Sequence, residues 1–478
     1  MLFNSIEFAF FVPIVFILYW FAVGRDLKAQ NAIVLIASYV FYGWWDWRFL
    51  SLIVVSSSVD YAIGLGLSRQ TDERRRKSLL LASLAVNLSL LGTFKYFNFF
   101  AESFADAFLL LGRTFEPARL EFILPVGISF YTLQTLSYTI DVYKRRLEPT
   151  EDALAFFAFV AFFPQLVAGP IERARNLLPQ LTSARSFNYG QAVDGLRQIL
   201  WGLFKKVVIA DNAAVLVNGI FANHATLSGS VLFLGALLFS FQIYADFSGY
   251  SDIAIGTSRL FGLNLKRNFA FPYFSRDVAE FWRRWHISLS TWFRDYLYIP
   301  LGGSRGSTAS KIRNIFIIFV VSGFWHGANW TFVVWGSLNA LYFLPLLFMK
   351  KNRLHTDTVA SGALFPSARE FGQILVTFLL TLVAWVFFRA PSLGEAISYL
   401  GGLFSPSLFT VPELFPAGLM LGIGTLVVIE WLQRDKQHGL DFGATPIPRL
   451  VRWAGYYALM LSIVVFGGDQ HDFIYFQF

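Results

Sequence analysis

Long apolar runs separated by short basic clusters dominate this chain. Residues 8–23 form the first run, followed by Arg25 and Lys28, and 31–45 and 49–67 follow as a tight pair. A helix needs about 20 mostly apolar residues to cross a bilayer, so these runs read as spans. Arg69-Gln70-Thr71-Asp72-Glu73-Arg74-Arg75-Arg76-Lys77 is the strongest charge run. On its own it is a solvated loop, and between spans it marks the cytoplasmic side. Counting back three spans puts the N-terminus outside. Residues 78–91 return outward, 94–120 are mixed and aromatic and read as interfacial, and 124–140 cross back to Lys144-Arg145-Arg146.

Residues 153–167 are apolar over a stretch short for a crossing and end in Pro164, Gly169 and Pro170. They predict a broken, re-entrant helix, a backbone tolerated at membrane depth only where protein or a cavity surrounds it. Residues 195–222 predict a long apolar helix carrying Lys205-Lys206, and 231–254 a second that carries Asp246 and Asp252. Over 279–297, Trp282, Trp285, Leu289, Trp292, Phe293 and Tyr296 recur at helical spacing, with Arg283, Arg284, Arg294 and Asp295 elsewhere on the wheel. One amphipathic helix at the interface is predicted, stopped by Pro300, Gly302 and Gly303.

The run 311–350 has positive charge at both ends, so it must fold as a hairpin turning at residues 327–329. His326 then lies about 22 Å along its helix, deep in a hydrocarbon layer about 30 Å thick. Residues 353–370 read as a cytoplasmic loop, 371–388 as a span, 390–416 as an outer loop, and 419–431 and 451–466 as further spans. The sum is an all-α polytopic protein of roughly ten to twelve crossings, with both termini outside. It forms one membrane domain: spans over 1–120, a core over 121–350, and C-terminal spans with an apolar tail over 351–478.

Composition agrees. The chain has 478 residues, 55% hydrophobic and 15% charged, where soluble domains carry about 25% charged residues. The net charge of +8 sits in short loops and is no nucleic-acid footprint. With no cysteine, disulfides, thiolate metal sites and a cysteine acyl-enzyme are excluded. The N-terminus lacks a basic segment and a small-residue cleavage site, so 8–20 reads as a first span rather than a signal peptide.

Ionisable groups inside an apolar run cost several kcal/mol, so they mark candidate sites. His326 stands at a chain reversal in Trp325-His326-Gly327-Ala328-Asn329. Its alternative is a histidine satisfied within a packed bundle. A buried imidazole stays neutral and can accept a proton. His286 shares its predicted helix face with Trp282, Leu289 and Phe293, and is either structural or a second polar group of the site. Asp246, Asp252, Arg294 and Asp295 read as buried ion pairs or a polar floor, and Tyr244, Ser248, Tyr250, Trp285, Trp325 and Asn329 as lining residues. His224, His355, His438 and His471 fall in predicted loops and read as surface residues. No His-x-x-x-His or Glu-x-x-His spacing appears, so no metal is expected. The tail Phe473-Ile474-Tyr475-Phe476-Gln477-Phe478 reads as an apolar anchor packed on the bundle, or as a place where the Tyr475 hydroxyl carries an acyl group.

Several stretches resemble the membrane-bound O-acyltransferase family, in particular its bacterial branch that acylates cell-envelope polymers. They are Phe241-Gln242-Ile243-Tyr244-Ala245-Asp246-Phe247-Ser248-Gly249-Tyr250-Ser251-Asp252, Phe281-Trp282-Arg283-Arg284-Trp285-His286, Ser322-Gly323-Phe324-Trp325-His326-Gly327-Ala328-Asn329-Trp330, Leu124-Pro125-Val126-Gly127-Ile128-Ser129-Phe130-Tyr131, Phe163-Pro164-Gln165-Leu166-Val167-Ala168-Gly169-Pro170-Ile171, and the tail. The resemblance implies His326 as the catalytic histidine and His286 as the second site residue, orienting the acyl carbonyl. It implies an acyl group, most simply acetyl, taken from a cytoplasmic thioester such as acetyl-CoA or a loaded acyl carrier protein, with no cofactor resident. It further implies transfer across a bacterial inner membrane to an envelope polysaccharide such as alginate, through an extracytoplasmic SGNH-type partner. D-alanyl transfer from a carrier protein belongs to a neighbouring branch. A transporter using buried His and Asp as a proton relay is the competing class. It predicts matching broken helices in two halves, and only 153–167 is of that kind. A scaffold that merely anchors an envelope complex is a third.

Overall fold

The computed structural model describes all residues except 122, 123, 168, 444–446, 469, 470, 472, 477 and 478. The motif positions Ala168, Gln477 and Phe478 lie outside the described residues. The described residues are helical, and no strand occurs among them. They group into two compact units, one of residues 1–192 and 257–265, the other of residues 193–256 and 266–478. Among the described residues, six helical stretches are long and apolar enough to cross a membrane: Leu27–Arg69, Glu73–Leu110, Gly229–Leu260, Trp330–Phe348, Ala368–Arg389 and Arg449–Phe466. Ile6–Ala22 and Ala417–Leu432 are shorter apolar helices. The chain is an all-helical, polytopic membrane protein.

In the first unit, Leu27–Asp46 and Leu50–Arg69 are 20-residue helices, each about 30 Å long. Asp46 separates them by accepting from the Arg48 backbone N–H at 2.9 Å, which opens the intervening 3₁₀ turn. The expected interfacial stretch 94–120 differs. Helix Glu73–Leu91 runs through a π turn, Gly92–Tyr96, into helix Phe97–Leu110. No proline interrupts residues 73–110, and Gly92 alone weakens the helix without stopping it. Ala153–Ala161 breaks at Phe162 (ψ 105°) and resumes as Phe163–Leu166 around Pro164, which has no N–H for the helical ladder. The break is enclosed in protein, as irregular backbone at such a place requires. Asp60, fully buried, ties three helices together by accepting from Ser83, Thr139 and Asn87.

In the second unit, Tyr189–Leu203 passes through a π turn, Phe204–Ala210, into Asp211–Ala222. The preceding helix packs against Gly229–Leu260 through glycines. A Cβ on Gly202 would meet the Gly249 carbonyl oxygen at 2.6 Å, and one on Gly256 the Gly195 carbonyl oxygen at 2.4 Å. The expected hairpin is present as Thr308–His326 and Trp330–Phe348. Gly323 and Gly336 let its arms touch: their Cβ atoms would fall 2.1 Å from the Phe332 and 2.3 Å from the Phe319 carbonyl oxygens, the small-residue contact of membrane helices. The expected outer loop 390–416 contains a helix, Leu393–Leu403, started by Ser392, which accepts from the Glu395 N–H.

Candidate active site

His326 is the last residue of its helix. Gly327 ends that helix, and the Phe332 ring closes over it so tightly that a Cβ there would lie 2.0 Å from a ring carbon. Asn329 starts the next helix by accepting from the Thr331 N–H at 3.0 Å, and it donates to the Pro391 carbonyl at 2.9 Å. Asn329 thereby caps the helix and aims the turn. The His326 ring is 2% exposed. Its centroid lies 5.0 Å from that of Trp325, 5.3 Å from Trp335, 5.4 Å from Phe388 and from Tyr475, and 6.3 Å from His286.

His286 does not sit on one continuous helix, as the spacing over 279–297 predicts. Helix Val278–Arg284 stops, His286 adopts a left-handed conformation (φ 42°), and a new helix, Ile287–Phe293, begins, followed by a π turn, Arg294–Tyr298. Such a conformation costs about 1–3 kcal/mol in a non-glycine residue. Backbone pairing offsets it: Ala270 N–H donates to the Arg284 carbonyl and Ile287 N–H to the Asn268 carbonyl, both at 2.9 Å. Trp285 is buried against Phe269, Phe281, Tyr244 and Trp385.

The break turns the His286 ring inward and stands it beside Asn268. His286 Nδ1 lies 3.1 Å from Asn268 Oδ1. The Ser288 backbone N–H and its hydroxyl donate to the same oxygen, at 3.3 and 2.9 Å, while Asn268 Nδ2 donates to Ser251 Oγ at 3.0 Å. An N–H can only donate, so the amide atom facing Ser288 is oxygen. That oxygen cannot donate to Nδ1, and the Ser288 hydroxyl, 3.5 Å from Nδ1, spends its proton on the nearer amide oxygen, so Nδ1 carries the ring proton. His286 Nε2 is buried and has no hydrogen-bond partner among the described residues. His286 lies outside the membrane-spanning helices, and burial pushes its pKa down to about 3, which keeps the ring neutral. Arg283 and Arg284 point away: Arg283 donates to the carbonyls of Asn352 and His355, and Arg284 pairs with Glu280 at 2.9 Å.

Phe247 stands between the histidine and the tail, 4.6 Å from His286 and 4.6 Å from Tyr475. The tail is held by ions. Asp246 accepts from the Ile474 N–H at 2.7 Å, and Lys206, 2.8 Å from Asp246 and 2.7 Å from Asp211, donates to the His471 carbonyl at 3.1 Å. Phe473 packs on Tyr250 at 4.6 Å and stacks on Tyr475 at 5.4 Å. Desolvation pushes the Tyr475 hydroxyl well above its ordinary pKa, with Asp246 adding to the effect, so it is protonated.

The other expected groups divide. Asp246 and Tyr250 serve the tail. Ser248 accepts from Lys205 at 2.9 Å, and the same lysine pairs with Asp252 at 2.5 Å. Tyr244 donates to Glu430 at 2.7 Å. Arg294 and Asp295 pair with each other at 2.7 Å; the Arg294 side chain is 58% exposed and that of Asp295 13%. Trp325 touches both histidines, 5.0 Å from His326 and 6.1 Å from His286. His438, expected on the surface, is buried against Asp194 at 3.2 Å. Sequence reasoning missed Glu430, although it is the one acid of helix Ala417–Leu432. It also missed Asn268, which carries no local signal. Among the described residues no group of three or more His, Asp and Glu could hold a metal ion.

Relatives with named activities match most of this chain. A probable alginate O-acetylase of Pseudomonas aeruginosa is 40% identical over 432 residues, 90% of this chain and 80% of that protein. A peptidoglycan O-acetyltransferase of Helicobacter pylori is 36% identical over 84% of this chain and 80% of its own. A teichoic acid D-alanyltransferase of Bacillus subtilis is 27% identical over 47% of this chain and 60% of its own. The model of the membrane-bound O-acyltransferase family matches residues 39–377, which contain His286 and His326. The chain belongs to that family and is an O-acyltransferase of the membrane.

Proposed function

We propose that this protein takes an acetyl group from a cytoplasmic thioester, acetyl-CoA or a loaded acyl carrier, and delivers it across a bacterial inner membrane for O-acetylation of an envelope polysaccharide. The observation that carries this reading is the pair of buried imidazoles, 6.3 Å apart, with the Tyr475 ring 5.4 Å from His326. His326 acts as general base. It takes the proton of the attacking hydroxyl as the new C–O bond forms and the C–S bond breaks, and the proton passes on to the leaving thiolate. Tyr475 is the first hydroxyl in reach, and an ester on it is handed to an SGNH-type partner outside the membrane. That step needs the base, because the tyrosine is otherwise fully protonated. The similarity to a probable alginate O-acetylase and to a peptidoglycan O-acetyltransferase favours acetyl and a glycan acceptor. D-alanyl transfer is supported over only 47% of the chain. In this reading both termini face the periplasm.

The experiment compares polymer-linked acyl groups, released by mild base and weighed by mass spectrometry, in cells carrying wild type or His326→Ala at equal membrane abundance. Loss of one ester-linked group in the mutant supports the assignment and identifies the group. Unchanged esters would remove His326 from the chemistry.

A further inference from the structure

The histidine site has a feature that its family membership does not dictate. The Asn268 carboxamide is fixed from two sides: its oxygen receives the Ser288 N–H and hydroxyl, and its nitrogen donates to Ser251 Oγ. Asn268 is itself fully buried. Its own backbone carbonyl holds the Ile287 N–H at 2.9 Å, which secures the break that turns His286 inward. One residue therefore sets both the position of the ring and the nitrogen that carries its proton.

We infer that Asn268 is a positioning residue that locks His286 as the Nδ1–H tautomer, so that the ring offers a bare Nε2 to the reaction and accepts a proton rather than donating a hydrogen bond to the acyl oxygen. A neutral imidazole has one donor and one acceptor nitrogen. With Nδ1–H committed to Asn268, the Nε2 that remains can only accept. The enclosing groups are apolar or aromatic: Phe247 at 4.6 Å, Trp325 at 6.1 Å, and Phe269 stacked at 6.3 Å. Across from it lies His326, so two proton acceptors flank the attacking hydroxyl. His326 takes the proton, and His286 holds it on the way to the thiolate. This role differs from the carbonyl-orienting role that the sequence resemblance implies for His286.

The inference rests on the acyl-transfer reading for its catalytic part, while its structural part is read without any transfer. The full-length protein, labelled with ¹⁵N-histidine in lipid, contains only six histidines. Their tautomers are visible by solid-state NMR, with the His286 signal assigned from its loss in His286→Asn. Wild type should carry its proton on Nδ1 of His286, and Asn268→Leu should give a mixture. Turnover per folded molecule in Asn268→Leu should fall about tenfold or more, with the KM for the thioester unchanged. Asn268→Asp keeps the acceptor, so it should recover most of the turnover. Its carboxylate also raises the imidazole pKa, so the acid limb of the pH–rate profile should move to higher pH.

An Nε2-protonated His286 in wild type would overturn the inference. So would equal losses in the Asp and Leu variants with no shift of the acid limb, which would mark Asn268 as a packing residue only. If wild type transfers no acyl group, the functional reading fails, and the NMR arm still decides the tautomer.

Discussion

Two buried polar clusters in this chain differ in one respect. Around Asp60, both carboxylate oxygens accept hydrogen bonds. Ser83, Thr139 and Asn87 donate to the carboxylate, Asn87 receives Ser56 at 2.7 Å, and no Lys or Arg pairs with Asp60 among the described residues. Around His286, one amide fixes Nδ1, and Nε2 is left with no partner among the described residues. A closed network stabilises helices against one another, whereas a network with an open acceptor bears the cost of an unsatisfied buried atom. That cost is tolerated where the atom has chemistry to perform. Burial of polar groups in a membrane protein therefore does not itself identify a site. What sets the His286 cluster apart is that its open acceptor stands beside a second buried histidine, with ring centroids 6.3 Å apart.

The comparison can be broken by substitution. The largest effect belongs to the open cluster: His286→Ala or His326→Ala should lower transfer by roughly 10²–10⁴, measured as ester-linked acyl per unit of membrane protein, with little change in thermal midpoint. Asp60→Ala should do the reverse. It strands buried donors and should cost about 1–3 kcal/mol of stability, seen as a lower midpoint in detergent, with activity per folded molecule retained. Equal activity losses at both clusters would erase the distinction.

A subtler effect is expected from pH. The folded-state pKa of His286 is depressed to about 3, against about 6.5 for an unfolded histidine. The unfolded chain therefore binds the extra proton first. The contribution of the neutral ring to stability is complete above about pH 6.5 and is lost as pH falls toward 3, by at most about 1.4 kcal/mol per unit. The unfolding midpoint of wild type should fall more steeply than that of His286→Asn on acidification across that window, and parallel curves would contradict the assignment. The smallest change belongs to Ser288→Ala. It removes one of two donors that orient Asn268 and leaves the backbone N–H, so transfer should fall less than about threefold. A loss as large as that of Asn268→Leu would mean that the hydroxyl, not the amide, governs the ring.

Much of the architecture was legible because its causes are local. The hairpin follows from charges at residues 311, 313, 350, 351 and 353 and the turn at Gly327. The break before Pro164 follows from its missing N–H. Where the reading failed, the cause was nonlocal. The indole periodicity over 282–296 is real, yet the helix breaks at His286 because residues 268–270 pair with its backbone. His438 is buried because Asp194, far away in sequence, meets it.

Sequence alone determined the solvent, a bilayer, through the length of the apolar runs. It also picked out His326 and His286 as ionisable groups among tryptophans, because an ionisable group in such surroundings is costly wherever it lies. Only the tertiary structure decided what those groups can do. The tail reaches His326 because Lys206 and Asp246 hold the backbone of His471 and Ile474. His286 is an acceptor because Asn268, 18 residues earlier, holds its other nitrogen. Burial and charge are written residue by residue, whereas the direction of a hydrogen bond depends on two groups that meet only when the chain has folded.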